Sequence, residues 1–99
     1  MNNLGKILKH IRVFNDLTQL ELSKKLNISR SYISEIESGK KIPTLEVLKD
    51  YSVNFKIVLS AIMLFSENYK EKINFKNTIK KGLTGTALKF LDWITKKER

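Results

Sequence analysis

Arg30, Ser31, Ser34 and Glu35 fall on one side of a helical period, with Ile33 and Ile36 on the other. A face of this kind offers a guanidinium fork, two hydroxyls and a carboxylate, so it can donate and accept hydrogen bonds at once. That is recognition chemistry. Catalytic chemistry finds little support. Asp16, Glu21, Glu35, Glu37, Glu46 and Asp50 scatter over the helical phases, and no Gly-rich phosphate loop accompanies them. His10 is the only histidine, and there is no cysteine. Disulfides, thiol nucleophiles and Cys-ligated zinc or iron–sulfur sites are therefore excluded. No catalytic residue, cofactor or metal is expected.

The charge balance agrees with a binding role. Nineteen Lys+Arg stand against ten Asp+Glu, a net charge of +9. Such an excess points to an anionic partner, nucleic acid before a membrane surface. Residues 1–54 carry nine Lys+Arg and six Asp+Glu, whereas 55–99 carry ten and four. Most of the excess thus lies outside the polar face just described. The apolar run from Ile57 to Phe65 spans nine residues and is interrupted by Ser60. A membrane span needs about 20. The first residues show no apolar h-region. A cytoplasmic protein without membrane association is expected.

The elements that must position the polar face follow from periodicity. Leu4, Ile7, Leu8, Ile11 and Phe14 obey the i, i+3, i+4, i+7 rule of an amphipathic helix. Asn15-Asp16 tolerates the left-handed backbone and closes it. Thr18 with Glu21 makes a capping box for a second helix, whose apolar face is Leu22 and Leu26 with Leu20 beside them. Asn27 is a left-handed stop. Ser29 caps a third helix that carries Tyr32, Ile33 and Ile36 and ends at Ser38-Gly39. Pro43-Thr44 starts a fourth, with Leu45, Val47, Leu48 and Tyr51 inward. A fifth begins near Asn54 to Lys56 and carries Val58, Leu59, Ile62, Phe65 and Tyr69. Beyond it Ile73, Phe75 and Ile79 are sparse among lysines, and Gly82 and Gly85 punctuate. Thr86 caps a last helix with Ala87, Phe90, Leu91 and Ile94 in one stripe, widened by Leu88 and Trp93. The fold class is all-α. Residues 1–66 form a five-helix domain, and 67–99 a helical extension.

The second and third helices, joined by Asn27-Ile28, have the spacing of a helix-turn-helix. Ile28 must plug the gap between them. The outward side of the second of the two must be able to reach base edges if it is to enter a major groove.

Leu17-Thr18-Gln19, Ile28-Ser29, Ile36-Glu37-Ser38-Gly39 and Pro43-Thr44-Leu45 sit at mutual spacings that resemble the Cro/lambda-repressor (Xre) type of helix-turn-helix transcriptional regulator. The resemblance covers about residues 4–60. Asp16 replaces a glycine that is common there, and Ser23 an alanine. The resemblance implies a lambda-repressor-like fold that binds double-stranded DNA. By the same resemblance Gln19 touches a phosphate and braces the first base reader. Arg30 and Ser31 reach base edges, with Ser34 on the same face. Glu35 is a second reader. Arg30 would fork to guanine O6 and N7, and Glu35 would accept from cytosine N4. An alternative for Glu35 is a pair with Arg12 or a lysine. Ser29, Tyr32, Ser38, Lys40 and Lys41 would hold phosphates or sugars. Arg12 and Glu37 match a scaffold pair that bridges the first and third helices.

The expected function is a sequence-specific transcriptional regulator, a repressor, acting as a homodimer on an inverted repeat with half-sites about 34–36 Å apart. Ile57, Ile62, Phe65, Phe90, Leu91, Trp93 and Ile94 are expected at the dimer interface, because together they exceed what one small core needs. The alternative is that the last helix folds back and enlarges its own core. Two other functions share the motif. One is the antitoxin of a toxin–antitoxin pair. The other is a protein-interaction module that holds a protein partner through its C-terminal segment.

Overall fold

The computed structural model describes residues 3–67 and 85–97. The described residues form six helices: α1 (Leu4–Phe14), α2 (Gln19–Leu26), α3 (Arg30–Glu37), α4 (Leu45–Phe55), α5 (Leu59–Glu67) and α6 (Gly85–Lys97). Among them there is no strand. Tyr69, Ile73, Phe75, Ile79, Gly82 and the lysines between 70 and 81 lie outside the described residues.

Local chemistry sets the boundaries. Glu21 N–H donates to Thr18 Oγ1 at 3.1 Å and Thr18 N–H donates to Glu21 Oε1 at 2.8 Å, so the capping box is complete. Ser29 Oγ accepts from Tyr32 N–H at 3.0 Å and opens α3. Thr44 Oγ1 accepts from Val47 N–H at 3.2 Å and opens α4. Asp16, Asn27 and Lys56 take positive φ of 56–58° and end α1, α2 and α4. Asp and Asn adopt this backbone readily. Lys56 adopts it with no such advantage.

Three expected boundaries or faces shift. Helix α4 runs on through Asn54 to Phe55, so α5 starts at Leu59 rather than near Asn54 to Lys56. Phe55 is buried, and this anchors the extra turn. Leu20, Leu45 and Val58 were expected inward but are exposed, at 52%, 58% and 45%. Leu20 and Leu45 each lie in a first helical turn, whose inward places go to Leu22 in α2 and to Val47 and Leu48 in α4. Helix α6 takes Gly85 into its first turn, so Thr86 lies inside it rather than capping it.

The core is continuous. Leu8, Ile11, Leu22, Ile33, Tyr51 and Ile62 are fully enclosed in it. Ile28, in the turn between α2 and α3, is partly buried against its edge. Helix α1 crosses α3 closely at Gly5, where a Cβ would collide with the Ile36 carbonyl oxygen. Only glycine permits that approach. Buried Ser23 is satisfied internally, donating from Oγ to Leu20 O at 2.7 Å.

Helix α6 belongs to this same core. Ala87, Phe90, Leu91 and Ile94 are buried in it. Phe90 meets Phe14 of α1 edge-on at 5.4 Å and lies 5.6 Å from Phe65 of α5. Trp93 stands edge-on to Phe14 and His10, with centroids at 5.5 and 6.0 Å. The expected dimer surface is thereby corrected. Ile57, Ile62, Phe65, Phe90, Leu91 and Ile94 are all at most 4% exposed within one chain, and Trp93 is partly buried against them. Nearly all of their apolar area is removed from water by folding within one chain, so little of it is left to drive association.

Candidate nucleic-acid interface

Helices α2 and α3 meet across Asn27-Ile28, and α3 turns Ile33 and Ile36 inward. The rest of α3 faces out, except Glu37, which turns inward. Arg30, Ser31 and Ser34 are exposed, and Glu35 and Tyr32 are half-buried. Ser29 and Lys40 are also exposed, one at each end of the helix. Ser29 Oγ accepts the cap bond with a lone pair, which leaves its own hydrogen to donate. Ser38 Oγ donates to Glu35 O at 3.1 Å.

A Schellman turn closes α3. Gly39, at φ +85°, lets Gly39 N–H donate to Ile36 O at 3.1 Å and Lys40 N–H to Glu35 O at 2.9 Å. Lys41 N–H reaches the same carbonyl at 3.2 Å. The chain therefore doubles back along the helix. Lys41 Nζ comes to lie 3.4 Å from Glu35 Oε1 and 6.0 Å above the Tyr32 ring.

Behind this face lies a second set of charges. Arg12 Nε donates to Glu37 Oε2 at 2.8 Å and Nη2 to Oε1 at 3.0 Å, a bidentate fork. Nη1 donates to Leu17 O at 2.8 Å, which ties in the residue before the α2 cap. Gln19 Nε2 donates to Glu37 Oε1 at 3.1 Å. Only 12% of the Arg12 side chain and 4% of the Glu37 side chain remain exposed. The expected scaffold pair is present, and Gln19 is attached to it. Nearby Tyr51 is fully buried, and its hydroxyl has no hydrogen-bond partner. Burial pushes that hydroxyl's pKa well up, with the Glu37 charge adding to the shift.

The structure thus gathers Arg30, Ser31, Ser34, Glu35 and Lys41 around the outward side of α3. Gln19, at the start of α2, is held from behind by Glu37. The sequence does not reveal the Gln19–Glu37 bond or the orphan Tyr51 hydroxyl. Each depends on which side chains three helices bring together. Gly39 was the available signal for the turn that returns Lys41 to Glu35.

A cleft of about 100 Å³, lined by Gly5, Ile36, Lys41 and Pro43 among others, is smaller than the roughly 300 Å³ at which ligand sites begin. Among the described residues no group of three or more His, Asp or Glu side chains could hold a metal. Among them, too, no helix is long and apolar enough to cross a membrane.

A short helix capped by serine, lodged behind a capped partner and closed by a Schellman turn, defines a helix-turn-helix protein. The helix-turn-helix family model matches residues 8–57. The chain belongs to the Cro/lambda-repressor (Xre) type helix-turn-helix family, a family of DNA-binding transcriptional regulators and not of enzymes. It is 38% identical over 60 residues to the immunity repressor protein of Bacillus phage phi105, covering 61% of this chain and 42% of that protein. It is 34% identical over 61 residues to an uncharacterized HTH-type transcriptional regulator of Methanocaldococcus jannaschii, covering 62% of this chain and 92% of that one. It is 38% identical over 56 residues to the HTH-type transcriptional activator BcrR of Enterococcus faecalis, covering 57% of this chain and 28% of that protein. The chain thus spans less than half of the phage repressor. No solved structure matches it.

Proposed function

We propose that this protein is a sequence-specific repressor that binds double-stranded DNA as a homodimer on an inverted repeat. The observation that carries this is the outward face of α3, where Arg30, Ser31 and Ser34 stand exposed on a helix fixed from behind by α1 and α2. Arg30 forks to guanine, and Ser31 and Ser34 contact neighbouring base edges. Gln19, Ser29, Tyr32, Ser38 and Lys40 hold the sugar–phosphate backbone and fix the register. The name of the phage immunity repressor supports repression over activation. Control of a phage, plasmid, restriction or own operon is the setting this reading favours.

Two-fold symmetry makes the protomer contact isologous, and recognition helices must then meet half-sites about 34–36 Å apart. Most of the apolar stripe of α6 is already covered within one chain, with only Leu88 and Trp93 partly exposed. Val53 and Val58, 76% and 45% exposed on either side of the Lys56 turn, are apolar surface that folding leaves available. The same burial of α6 weighs against a protein-interaction module built on the C-terminal segment.

The test is a mobility shift with random duplex at two salt concentrations, followed by selection of bound sequences from a random pool. A strong salt dependence and a palindromic consensus are expected. Arg30→Ala should cost roughly 1–3 kcal/mol on the selected site and relax preference at one base pair. A folded chain that shifts neither pool overturns the proposal.

A further inference from the structure

A carboxylate on a DNA-facing helix poses an electrostatic problem. Glu35 lies one turn beyond Ser31 on the outward side of α3, where it would approach a polyanion. Unpaired, it would be repelled by the phosphates. In this chain it is not unpaired. Lys41 Nζ sits 3.4 Å from its Oε1, with both side chains substantially exposed, at 56% and 39%.

The position of Lys41 is not accidental to a floppy side chain. Its backbone is fixed by the turn at Gly39, and its N–H shares the Glu35 carbonyl with Lys40. The ammonium also lies 6.0 Å over the Tyr32 ring, at the outer limit of a cation–π contact. Tyr32 and Glu35 are three residues apart and therefore neighbours on the helix surface. Lys41 thus reaches across the α3 face instead of extending away from it.

We propose that Glu35 and Lys41 act as one base-reading unit. Lys41 cancels the charge of Glu35 and keeps one carboxylate oxygen occupied. The other oxygen remains free to accept from an exocyclic amine of a base, as cytosine N4 offers in the major groove. Lys41 then contributes to sequence preference through Glu35, as a positioning residue, and is not simply a phosphate contact. This rests on the DNA-binding function proposed above and goes further, because it names a partner chemistry for one step of the site.

The experiment is a double-mutant cycle on DNA affinity with the full chain: wild type, Glu35→Gln, Lys41→Ala and the double variant. Each is measured on the duplex selected by the wild type, on single-base-pair variants of it, and on random duplex. Helical content is checked by circular dichroism. Lys41→Ala should weaken the selected duplex by about tenfold or more. Glu35→Gln in the Lys41→Ala background should restore several-fold of that, because the uncompensated charge is gone. Both single variants should lose discrimination at the same base pair. Additive effects, or equal loss on all duplexes with the preference profile unchanged, overturn the unit and make Lys41 a phosphate contact. If the folded wild type binds no duplex, the DNA-binding function itself falls, and the base-reading unit with it.

Discussion

Glu35 and Glu37 are two residues apart on one short helix, and each has a cationic partner, yet the two pairs differ in nearly every physical respect. The Arg12–Glu37 fork is bidentate, joined by Gln19, and almost wholly removed from solvent. The Glu35–Lys41 pair is a single 3.4 Å approach in water. A rotation of two helical positions separates a pair that holds three elements together from one left open to solvent. Burial, not the presence of opposite charges, decides which role an ion pair plays. In water the attraction is small and screened, whereas an enclosed charge that loses its partner has nothing to replace it.

The largest expected effect follows at once. Arg12→Ala should destabilise the fold by about 3–5 kcal/mol, since it strands the Glu37 carboxylate in the interior. Urea unfolding would measure this. The matching truncation on the outer face, Lys41→Ala, should change stability by less than about 1 kcal/mol. Equal losses would erase the contrast between the two pairs.

The inner pair exists only because α1 runs close to α3. Gly5→Ala should force the helices apart against the Ile36 carbonyl and cost about 1–3 kcal/mol. A thermal-denaturation shift near zero would show that α1 can move without disturbing the fork.

Tyr51 sharpens the comparison in the opposite direction. Its hydroxyl lies near the inner charges without a hydrogen bond. Tyr51→Phe should therefore leave stability unchanged or raise it by up to about 1 kcal/mol, because an unsatisfied buried group is removed. A clear loss in the denaturation midpoint would reveal a partner for that oxygen.

The smallest effect belongs to Glu21, which is fully exposed. The hydrogen bond from the Thr18 backbone, aided by its side chain, holds the Glu21 carboxyl below its ordinary value of 4.5. A lowered folded-state pKa gives stabilisation that is present above the unfolded value and disappears as pH falls through the folded one. Glu21→Gln should therefore narrow the gap between denaturation midpoints at neutral and acid pH. Parallel pH profiles for variant and wild type would rule out a charged cap.

Much of this was legible before any fold was known. Thr18 with Glu21, Asn27, Ser29 and Gly39 mark helix ends by chemistry that acts within four residues, and short-range chemistry survives in the bare sequence. The i, i+3, i+4 pattern of Leu4, Ile7, Leu8 and Ile11 likewise names a buried face without naming what covers it. The polar face of α3 follows from the same periodicity, because Ile33 and Ile36 fix which side must be inward.

Where the aromatic residues of α6 go is a matter of packing between distant helices. Phe90, Leu91, Trp93 and Ile94 announce an apolar stripe, but an apolar stripe gains as much by meeting another protomer as by meeting α1 and α5. Burial free energy is non-directional, so the pattern could not choose, and contact with Phe14 and Phe65 did. The same holds for Gln19 and Tyr51. Whether a side chain comes near Glu37 depends on distances between residues far apart in the chain. Periodicity names which face of each helix must leave water. The fold alone determined what met it there.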